Sequence, residues 1–600
     1  MCFSAGTLAR VLEFPVCHHW RCAVAGSPGG GMAARLTTYV VVAIVAATLI
    51  AGLIVGAQRD DNSGPVDLIV HNAKLYTADG LGTMAEAVAV RGNKILHVGT
   101  NREILRYRRP QTTVIDAKGA AVIPGFNDAH VAFIAGGLAR EAIDLTGLET
   151  LEAMQERIAD ADPFSPWVIG RGWTYERFAD LPTRAQLDAA TSDRPAMFLS
   201  QDGHAAWVNT MALAAAGITR KTPAPPDGVI VRDPRGEPTG LLKDGAISLV
   251  TRVMPPSTRQ SRARALRLAV REAHAHGVTS IQTFGESADD LDLYDEARRA
   301  GELTVRVYAV LPATSPVTQN ELAVFEGITK RFSDDPLFKA GAVSVALDGS
   351  IASQTAATLE PYATRGALSG LTVLTFDELN AAVATLDARG LQIAIDAAGD
   401  RGVRMALDAF EKVAAQHTAA GQTRRHRIER AEIVDPDDLP RFKTLSLIAA
   451  LQPLHVETNR VSSDWAKNLG PDRALFGWPA RSLATAGAHV TFGSDWPNVP
   501  LDPLAGLNAA VNRTAGGDAT EEIASIDESL PLKSAVNAWT SGAAWASFDD
   551  HRKGVIKRGM LADLVVLSAD IFDPKKRALA SAEVAVTIFD GKVVYRRNAS

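Results

Sequence analysis

The feature that most constrains the fold is the alternation of short apolar segments with helical stretches through the middle of the chain. Seven segments have the residue types and lengths of β-strands: Val278–Phe284, Val305–Leu311, Val343–Leu347, Gln392–Ile395, Arg427–Glu429, Leu447–Leu451 and Val490–Phe492. Amphipathic stretches such as Phe376–Arg389 and Arg401–Ala415 lie between them. Strands that alternate with helices favour a parallel sheet. With an eighth strand ending at His130, the pattern predicts an α/β fold built on a (β/α)8 barrel of the TIM type.

Both ends of the chain carry β segments of one kind. Near the start they are Asp67–Tyr76 and a hairpin over Ala87–Gly99, and near the end they are Ala562–Leu567 and a hairpin over Val584–Tyr595. We therefore expect one β-sandwich assembled from both ends, with parts at 64–120 and 546–600 and the barrel at 121–545. Residues 145–270 exceed a minimal barrel and are predicted to form an inserted subdomain over its mouth.

The N-terminal region contains an uncharged apolar segment, Tyr39–Ala57. Roughly 20 apolar residues suffice to span a bilayer as a helix. Arg35 on its N-terminal side favours a cytoplasmic tail, residues 1–38, and an extracytoplasmic main domain. The segment is either an uncleaved transmembrane signal anchor or a signal peptide cut near Ala57, which would export the protein. Met32 is a plausible start for such a segment, so residues 1–31 are a candidate mis-called extension.

Composition excludes several classes of partner and chemistry. The net charge of −6 gives no reason to expect nucleic acid as a partner. All three cysteines lie at Cys2, Cys17 and Cys22, which excludes disulfides and thiolate metal ligands from the rest of the chain. A small-molecule substrate or ligand is the expected partner, with the membrane contacted only through the N-terminal segment. The sequence carries no signal for an oligomeric state.

The first site motif lies where the apolar run Ala121–Ile123 ends in Pro124-Gly125. Asp128 and His130 follow, at the point where a buried strand meets its loop. Active sites of parallel barrels are built at this end of the strands.

Nine motifs in order resemble the amidohydrolase superfamily, most closely amidohydrolase family 3, whose members include N-substituted formamide deformylases. The resemblance covers roughly residues 66–597. The motifs are Pro124–His130, Gly170–Trp173, Asp202–Asn209, Gly236–Gly240, Asp348–Ser350, Gly399–Arg401, Gln452–His455, Gly493–Pro497 and Ala562–Leu564.

The resemblance implies hydrolysis with one or two divalent metals, which lower the pKa of bound water. The family's usual ligands are a His-x-His pair, a carboxylated Lys, two single His and one Asp. Those positions fall here on His130, Ala132, Ser344, Asp396, Arg430 and Asp495. Only the first and the last keep the usual ligand. Because Ser344 cannot form the bridging carbamate, a binuclear site is not expected.

Arg430 would place a permanent cation among the strand ends. Asp396, Arg430 and Asp495 are then expected to satisfy one another as a carboxylate–guanidinium–carboxylate cluster without metal. If the guanidinium points away, His130, Asp396 and Asp495 are the candidate ligands of one divalent ion, with zinc the expected metal.

The resulting hypothesis is an amidohydrolase-type hydrolase of non-peptide C–N bonds in amides or cyclic amides, with a mononuclear or metal-free site. Asp495 or Asp396 would activate water and Arg430 would stabilise the developing oxyanion. Substrate contacts are expected from Trp173, His204 and His455. The alternative is a catalytically inactive ligand-binding protein of the same fold.

Overall fold

The computed structural model describes residues 65–161, 166–178, 180–191, 194–225, 227–416, 424–459, 463–513, 527–574 and 578–598. The chain divides into two units, Met1–Pro65 and Val66–Ser600, and the fold below is that of the second. The expected membrane segment, Tyr39–Ala57, and the tail before it lie outside the described residues. Within these ranges, no helix is both long and apolar enough to cross a bilayer.

The strands of the described residues, numbered in chain order, form four sheets. They are β1 Leu68–His71, β2 Lys74–Tyr76, β3 Met84–Ala85, β4 Ala87–Arg91, β5 Lys94–Gly99, β6 Thr113–Asp116, β7 Ala121–Pro124, β8 Phe126–Val131, β9 Ile143–Asp144, β10 Val168–Trp173, β11 Ala196–Ser200, β12 Ala205–Val208, β13 Gly228–Arg232, β14 Pro238–Asp244, β15 Val278–Phe284, β16 Arg306–Pro312, β17 Phe338–Ala346, β18 Gln392–Ala397, β19 Arg427–Arg430, β20 Ile448–Leu451, β21 His489–Phe492, β22 Leu564–Leu567, β23 Val584–Phe589 and β24 Lys592–Arg596.

Helices connect most of the central strands. The α-helices of the described ranges are Asn101–Ile104, Phe133–Ala139, Leu151–Ala159, Arg184–Asp188, Thr210–Ala215, Ser248–Thr251, Arg259–Ala275, Ala288–Arg299, Gln319–Arg331, Phe376–Ala388, Asp400–Gln416, Leu439–Thr444, Asp464–Leu469, Pro471–Ala474, Ala480–Ala486, Pro503–Asn512, Leu532–Asn537 and Ala543–Ala546. Two 3-10 turns, Tyr175–Arg177 and Pro453–Asn459, carry residues of the site described below.

The central sheet has the parallel order β21-β20-β19-β18-β17-β16-β15-β8, which confirms the predicted eight-stranded barrel. It closes at the carboxyl ends of β21 and β8, where the backbone N–H of Asp495 donates to the carbonyl of His130 at 2.8 Å. The backbone N–H of Ala132 likewise donates to the carbonyl of Trp496 at 2.9 Å. A Cβ on Gly493 would lie 2.4 Å from the nitrogen of His130, so only glycine permits this approach.

The barrel begins later than the sequence pattern indicates. Strand β7 pairs with β2 and β22 in a six-stranded sheet outside the barrel, and the first barrel strand starts at Phe126. The run Ala121–Pro124 is fully buried in that sheet, so its apolar composition resembles that of a barrel strand. Gly125 makes the turn between the two, because a Cβ there would lie 2.1 Å from the hydroxyl of Thr279.

The insertion after β8 is a second six-stranded sheet, with the order β13-β14-β12-β11-β10-β9. We expected the inserted subdomain to span 145–270, but helix Arg259–Ala275 belongs to the barrel. One face of that helix, including Leu266 and Val270, is buried in the main core of the barrel. A long amphipathic helix has the same sequence pattern whether it belongs to the insertion or to the barrel, so the pattern does not determine this boundary.

The chain ends form two sheets with a shared core. The first sheet has the order β5-β4-β1-β6, and the second joins β22–β24 to β7, β2 and β3. Val70 and Val88 from the first sheet pack in one cluster with Val122, Leu564 and Ile588 from the second. A sandwich built from both ends therefore lies beside the barrel.

Candidate functional site

The polar residues singled out in the sequence lie at the carboxyl ends of barrel strands. His130 is near the end of β8, Asp396 near the end of β18, and Arg430 is the last residue of β19. Asp495 is the third residue after the end of β21. Ser344 lies near the end of β17 and provides no metal-ligating nitrogen or carboxylate. The fold therefore brings these positions to one end of the barrel.

Arg430 is buried and its guanidinium is held by protein groups. Its Nε donates to Asp396 Oδ1 at 2.6 Å, and its Nη2 donates to the carbonyl of Gly349 at 3.0 Å. Its Nη1 lies 2.9 Å from His204 Nε2. Burial opposes the charge, but the carboxylates of Asp396 and Glu432 raise the pKa of Arg430 above its usual value. The site therefore contains a permanent, fixed cation.

A left-handed backbone turns Arg430 into the site. Glu429 and Arg430 are consecutive in β19, and consecutive strand residues normally face opposite sides. Both nevertheless reach the strand-end cluster, because Arg430 has φ of +67°. This conformation is uncommon for a residue other than glycine and costs on the order of 1 kcal/mol.

His204 connects the barrel to the inserted sheet. Because the guanidinium of Arg430 is a donor, His204 Nε2 accepts from it, and its Nδ1–H then donates to Asp244 Oδ1 at 2.6 Å. Asp244 is the last residue of β14 in the insertion. We expected His204 to contact substrate, but its ring nitrogens are committed to Arg430 and Asp244.

His130 belongs to a second chain of charged groups. Its Nδ1 lies 2.8 Å from Glu429 Oε2, and the other oxygen of Glu429 lies 2.7 Å from Arg427 Nε. Its ring stacks on Phe284 with centroids 4.1 Å apart. Burial opposes protonation, but Glu429 and Asp495 together raise the pKa of His130. The roles of Arg427 and Glu429 were not predicted; their signal was a buried strand in which Ile428 is the one apolar residue.

Asp495 lies between two histidines. Its Oδ2 is 3.1 Å from His455 Nε2, and its Oδ1 is 3.7 Å from His130 Nε2. Burial would raise the pKa of Asp495, but the hydrogen bond from His455 and the positive charges of His455, His130 and Arg430 lower it to about 2. Asp495 is therefore ionised throughout the physiological pH range. Its φ of +63° is again left-handed, a strained conformation found often in functional sites.

A cavity that opens to solvent lies beside His455. Trp173, Tyr175, Trp465 and Val499 give it mostly apolar walls. Both Trp173 and His455 line it, as expected for substrate contacts, whereas His204 is not among its lining residues. The cavity therefore places the Asp495–His455 pair against a surface suited to a small organic molecule.

The donor set does not fit the expected divalent ion. Asp396, one of its three candidate ligands, is paired at 2.6 Å with the guanidinium of Arg430. A fixed cation at that position repels a divalent ion by several kcal/mol. The expected cluster is also incomplete, since Arg430 hydrogen-bonds Asp396 but not Asp495, which pairs with His455 instead. Throughout the described ranges, no group of three or more His, Cys, Asp or Glu side chains is arranged to hold a metal.

The parallel barrel, with its site at the strand ends and its sandwich from both chain ends, defines a barrel hydrolase of the amidohydrolase type. The chain belongs to amidohydrolase family 3, whose model matches residues 113–595.

Individual relatives agree with this assignment. The chain is 32% identical over 544 residues to Protein LONG AFTER FAR-RED 3 of Arabidopsis thaliana, covering 88% of this chain and 91% of that one. It is 27% identical over 547 residues to an N-substituted formamide deformylase of Arthrobacter pascens, covering 89% and 99%. A solved structure of an uncharacterized metal-dependent hydrolase from Pyrococcus horikoshii has the same fold, with a TM-score of 0.65 at 24% identity, covering 82% of this chain and 96% of that one.

Proposed function

We propose that this chain hydrolyses a C–N bond in a small amide or cyclic amide without a resident metal. The observation that carries the proposal is the 3.1 Å contact between Asp495 and His455 at the wall of the cavity. A carboxylate that holds an imidazole in one tautomer is the arrangement of a general base. The deformylase relative acts on a bond of this kind, which supports the choice of C–N chemistry.

In the proposed reaction, the hydrogen-bonded pair of Asp495 and His455 acts as the general base. It takes a proton from water as the water oxygen attacks the carbonyl carbon. The proton is then transferred to the leaving nitrogen as the C–N bond breaks, which gives a carboxylic acid and an amine. The fixed charge of Arg430 adds a positive potential at the strand ends, which favours the developing oxyanion.

The test is hydrolysis of a panel of N-substituted formamides and cyclic amides by residues 58–600, with and without a metal chelator. We expect turnover that the chelator leaves unchanged and that His455→Gln lowers by about 100-fold or more in kcat. His97→Gln, in β5 of the sandwich, is the matched control and should retain full activity. Turnover that survives His455→Gln, or that requires added metal, would contradict the proposal.

A second candidate function is ligand binding without turnover. It is favoured by the contacts of Arg430, whose guanidinium is held by Asp396, His204 and Gly349. Arg430 is also not among the residues that line the cavity. In that case Asp495→Asn changes ligand affinity only modestly, and no amide in the panel is hydrolysed.

A further inference from the structure

The cavity beside His455 combines aromatic walls with carboxylates. The rings of Trp173 and Tyr175 meet edge to face with centroids 5.1 Å apart. Trp465 is also a lining residue, and its indole nitrogen donates to Glu432 at 2.8 Å, which fixes the ring. Aromatic faces carry partial negative charge and attract cations within about 6 Å.

Two acidic residues, Glu176 and Asp464, line the same cavity. They lie side by side, because the backbone N–H of Asp464 donates to Glu176 Oε1 at 3.2 Å. Arg177, next in sequence, pairs with Glu149 at 2.5 Å. Burial and then the negative charge of Glu176 raise the pKa of Asp464, against the opposing positive charges of Lys467 and Lys243.

A third lining carboxylate, Asp202, is held in place by hydroxyl groups. Ser350 Oγ and Ser353 Oγ donate to its Oδ2 at 2.6 and 3.1 Å. Lys243 balances part of this charge, with its Nζ 5.2 Å from the Tyr175 ring centroid and donating to the Ser353 carbonyl. Lys467 acts on Asp464 as a second cation. The three lining carboxylates outnumber these two lysines, which leaves a negative potential in the cavity.

We propose that the cavity recognises a small organic cation, an amine or quaternary ammonium group carried on an aromatic or aliphatic body. The charged group would lie near Glu176 and Asp464, and the apolar body against Trp173 and Trp465. The inference rests on the proposed function, since the cavity is the one that His455 and Asp495 serve. The inference is that the substrate is positively charged, and it predicts that anions of similar shape bind more weakly.

The chemistry of C–N hydrolysis fits this charge preference. Cleavage of an amide with a basic leaving group releases an amine, which is a cation at neutral pH. The same carboxylates would therefore hold the amine product as it forms, and a cationic amine should act as a competitive inhibitor.

The test measures binding of three isosteric probes to residues 58–600 by titration calorimetry: 2-phenylethylammonium, 2-phenylethanol and phenylacetate. We expect the ammonium to bind at least tenfold more tightly than the alcohol and phenylacetate to bind more weakly still. Asp464→Asn and Glu176→Gln should each reduce the ratio between ammonium and alcohol severalfold. Added salt should reduce it as well, since the cavity is open to solvent.

The control is Glu156→Gln, an exposed glutamate of helix Leu151–Ala159 in the same inserted region that does not line the cavity. It should leave the ratio unchanged. Equal binding of ammonium and alcohol, tighter binding of phenylacetate, or no binding of any probe overturns the inference. These results are independent of turnover, so charge-selective binding without hydrolysis would refute the proposed function alone.

Discussion

The guanidinium of Arg430 lies 2.6 Å from the carboxylate of Asp396, at two positions where the family resemblance places metal-binding histidines. This ion pair is neutral overall, whereas a divalent metal ion bound at the strand ends would carry a charge of +2. Arg430 also contacts His204 and the carbonyl of Gly349, so its guanidinium is held by protein groups alone among the described residues.

Removing one partner of this pair should destabilise the fold. We expect Arg430→Met to lower the free energy of unfolding by about 2–3 kcal/mol, because it leaves Asp396 beside an apolar side chain, with the loss limited by the partial exposure of that carboxylate. Urea denaturation measures the effect. In the double variant with Asp396→Asn, the loss should be smaller than the sum of the single losses by at least about 0.5 kcal/mol. Strict additivity would show that the two residues do not stabilise each other.

Restoring the family's ligands should restore metal binding. The change combines Ala132→His, Ser344→Lys, Asp396→His and Arg430→His, and it replaces the fixed cation by an imidazole ligand. We expect about one zinc ion or more per chain, measured by elemental mass spectrometry after dialysis.

The matched control for this experiment keeps Arg430 and carries the other three changes. It should bind no stoichiometric metal, because the guanidinium still repels the ion. If the fourfold variant folds and stays metal-free, our assignment of the six positions is wrong.

Asp495 should make stability depend on pH in the acid range. Its pKa in the folded chain is lowered to about 2 from an ordinary value of 3.8. A lowered pKa means that the carboxylate stabilises the fold fully above about pH 4 and that this contribution is lost as the pH falls towards 2. We expect ionised Asp495 to contribute about 2 kcal/mol to the free energy of unfolding above pH 4. The measurement is the difference in unfolding free energy between the native chain and Asp495→Asn at pH 6 and at pH 2.5. The difference should shrink at the lower pH, and a constant difference would contradict this account.

Gly493 should tolerate no side chain. A Cβ at this position would lie 2.4 Å from the backbone nitrogen of His130, where β21 and β8 close the barrel. We expect Gly493→Ala to cost about 3 kcal/mol in strain at this junction, and so to lower the melting temperature by about 3 °C in a folded unit of this size. Gly327 of helix Gln319–Arg331 provides the control, because a Cβ there meets nothing within 4 Å. Gly327→Ala should raise stability by up to about 1 kcal/mol.

The barrel could be predicted because its signal is repeated. Most strands from Val278 to Phe492 are short apolar runs followed by a helix, and the structure moves none of their predicted ends by more than five residues. The domain boundaries were harder to predict, since a strand or helix buried outside the barrel has the same apolar residues as one buried within it. Strand β7 was predicted inside the barrel and lies outside it, whereas most of helix Arg259–Ala275 was predicted in the insertion and belongs to the barrel.

The site could be predicted only in part. The family motifs located His130, Asp495 and His455, because each lies near the carboxyl end of a recognisable strand. The pairing of Arg430 with His204 could not be foreseen, since it depends on a left-handed backbone angle and on an inserted sheet far away in sequence. The same holds for Asp464, which reaches the cavity from one segment while Glu176 reaches it from another.

The sandwich has a consequence for synthesis of the chain. Leu564 pairs with Pro124, and nearly the whole barrel lies between them in sequence. While the ribosome is still translating the barrel, the edge of β7 that β22 will cover therefore has no partner within the sandwich. The apolar side chains of the shared core, Val70 and Val122 among them, cannot be fully buried until Leu564 and Ile588 have been synthesised. A nascent chain that stalls before β22 would expose an unpaired strand edge, which is prone to aggregation. Such a chain would remain a target of chaperones and proteases until the last strands are made.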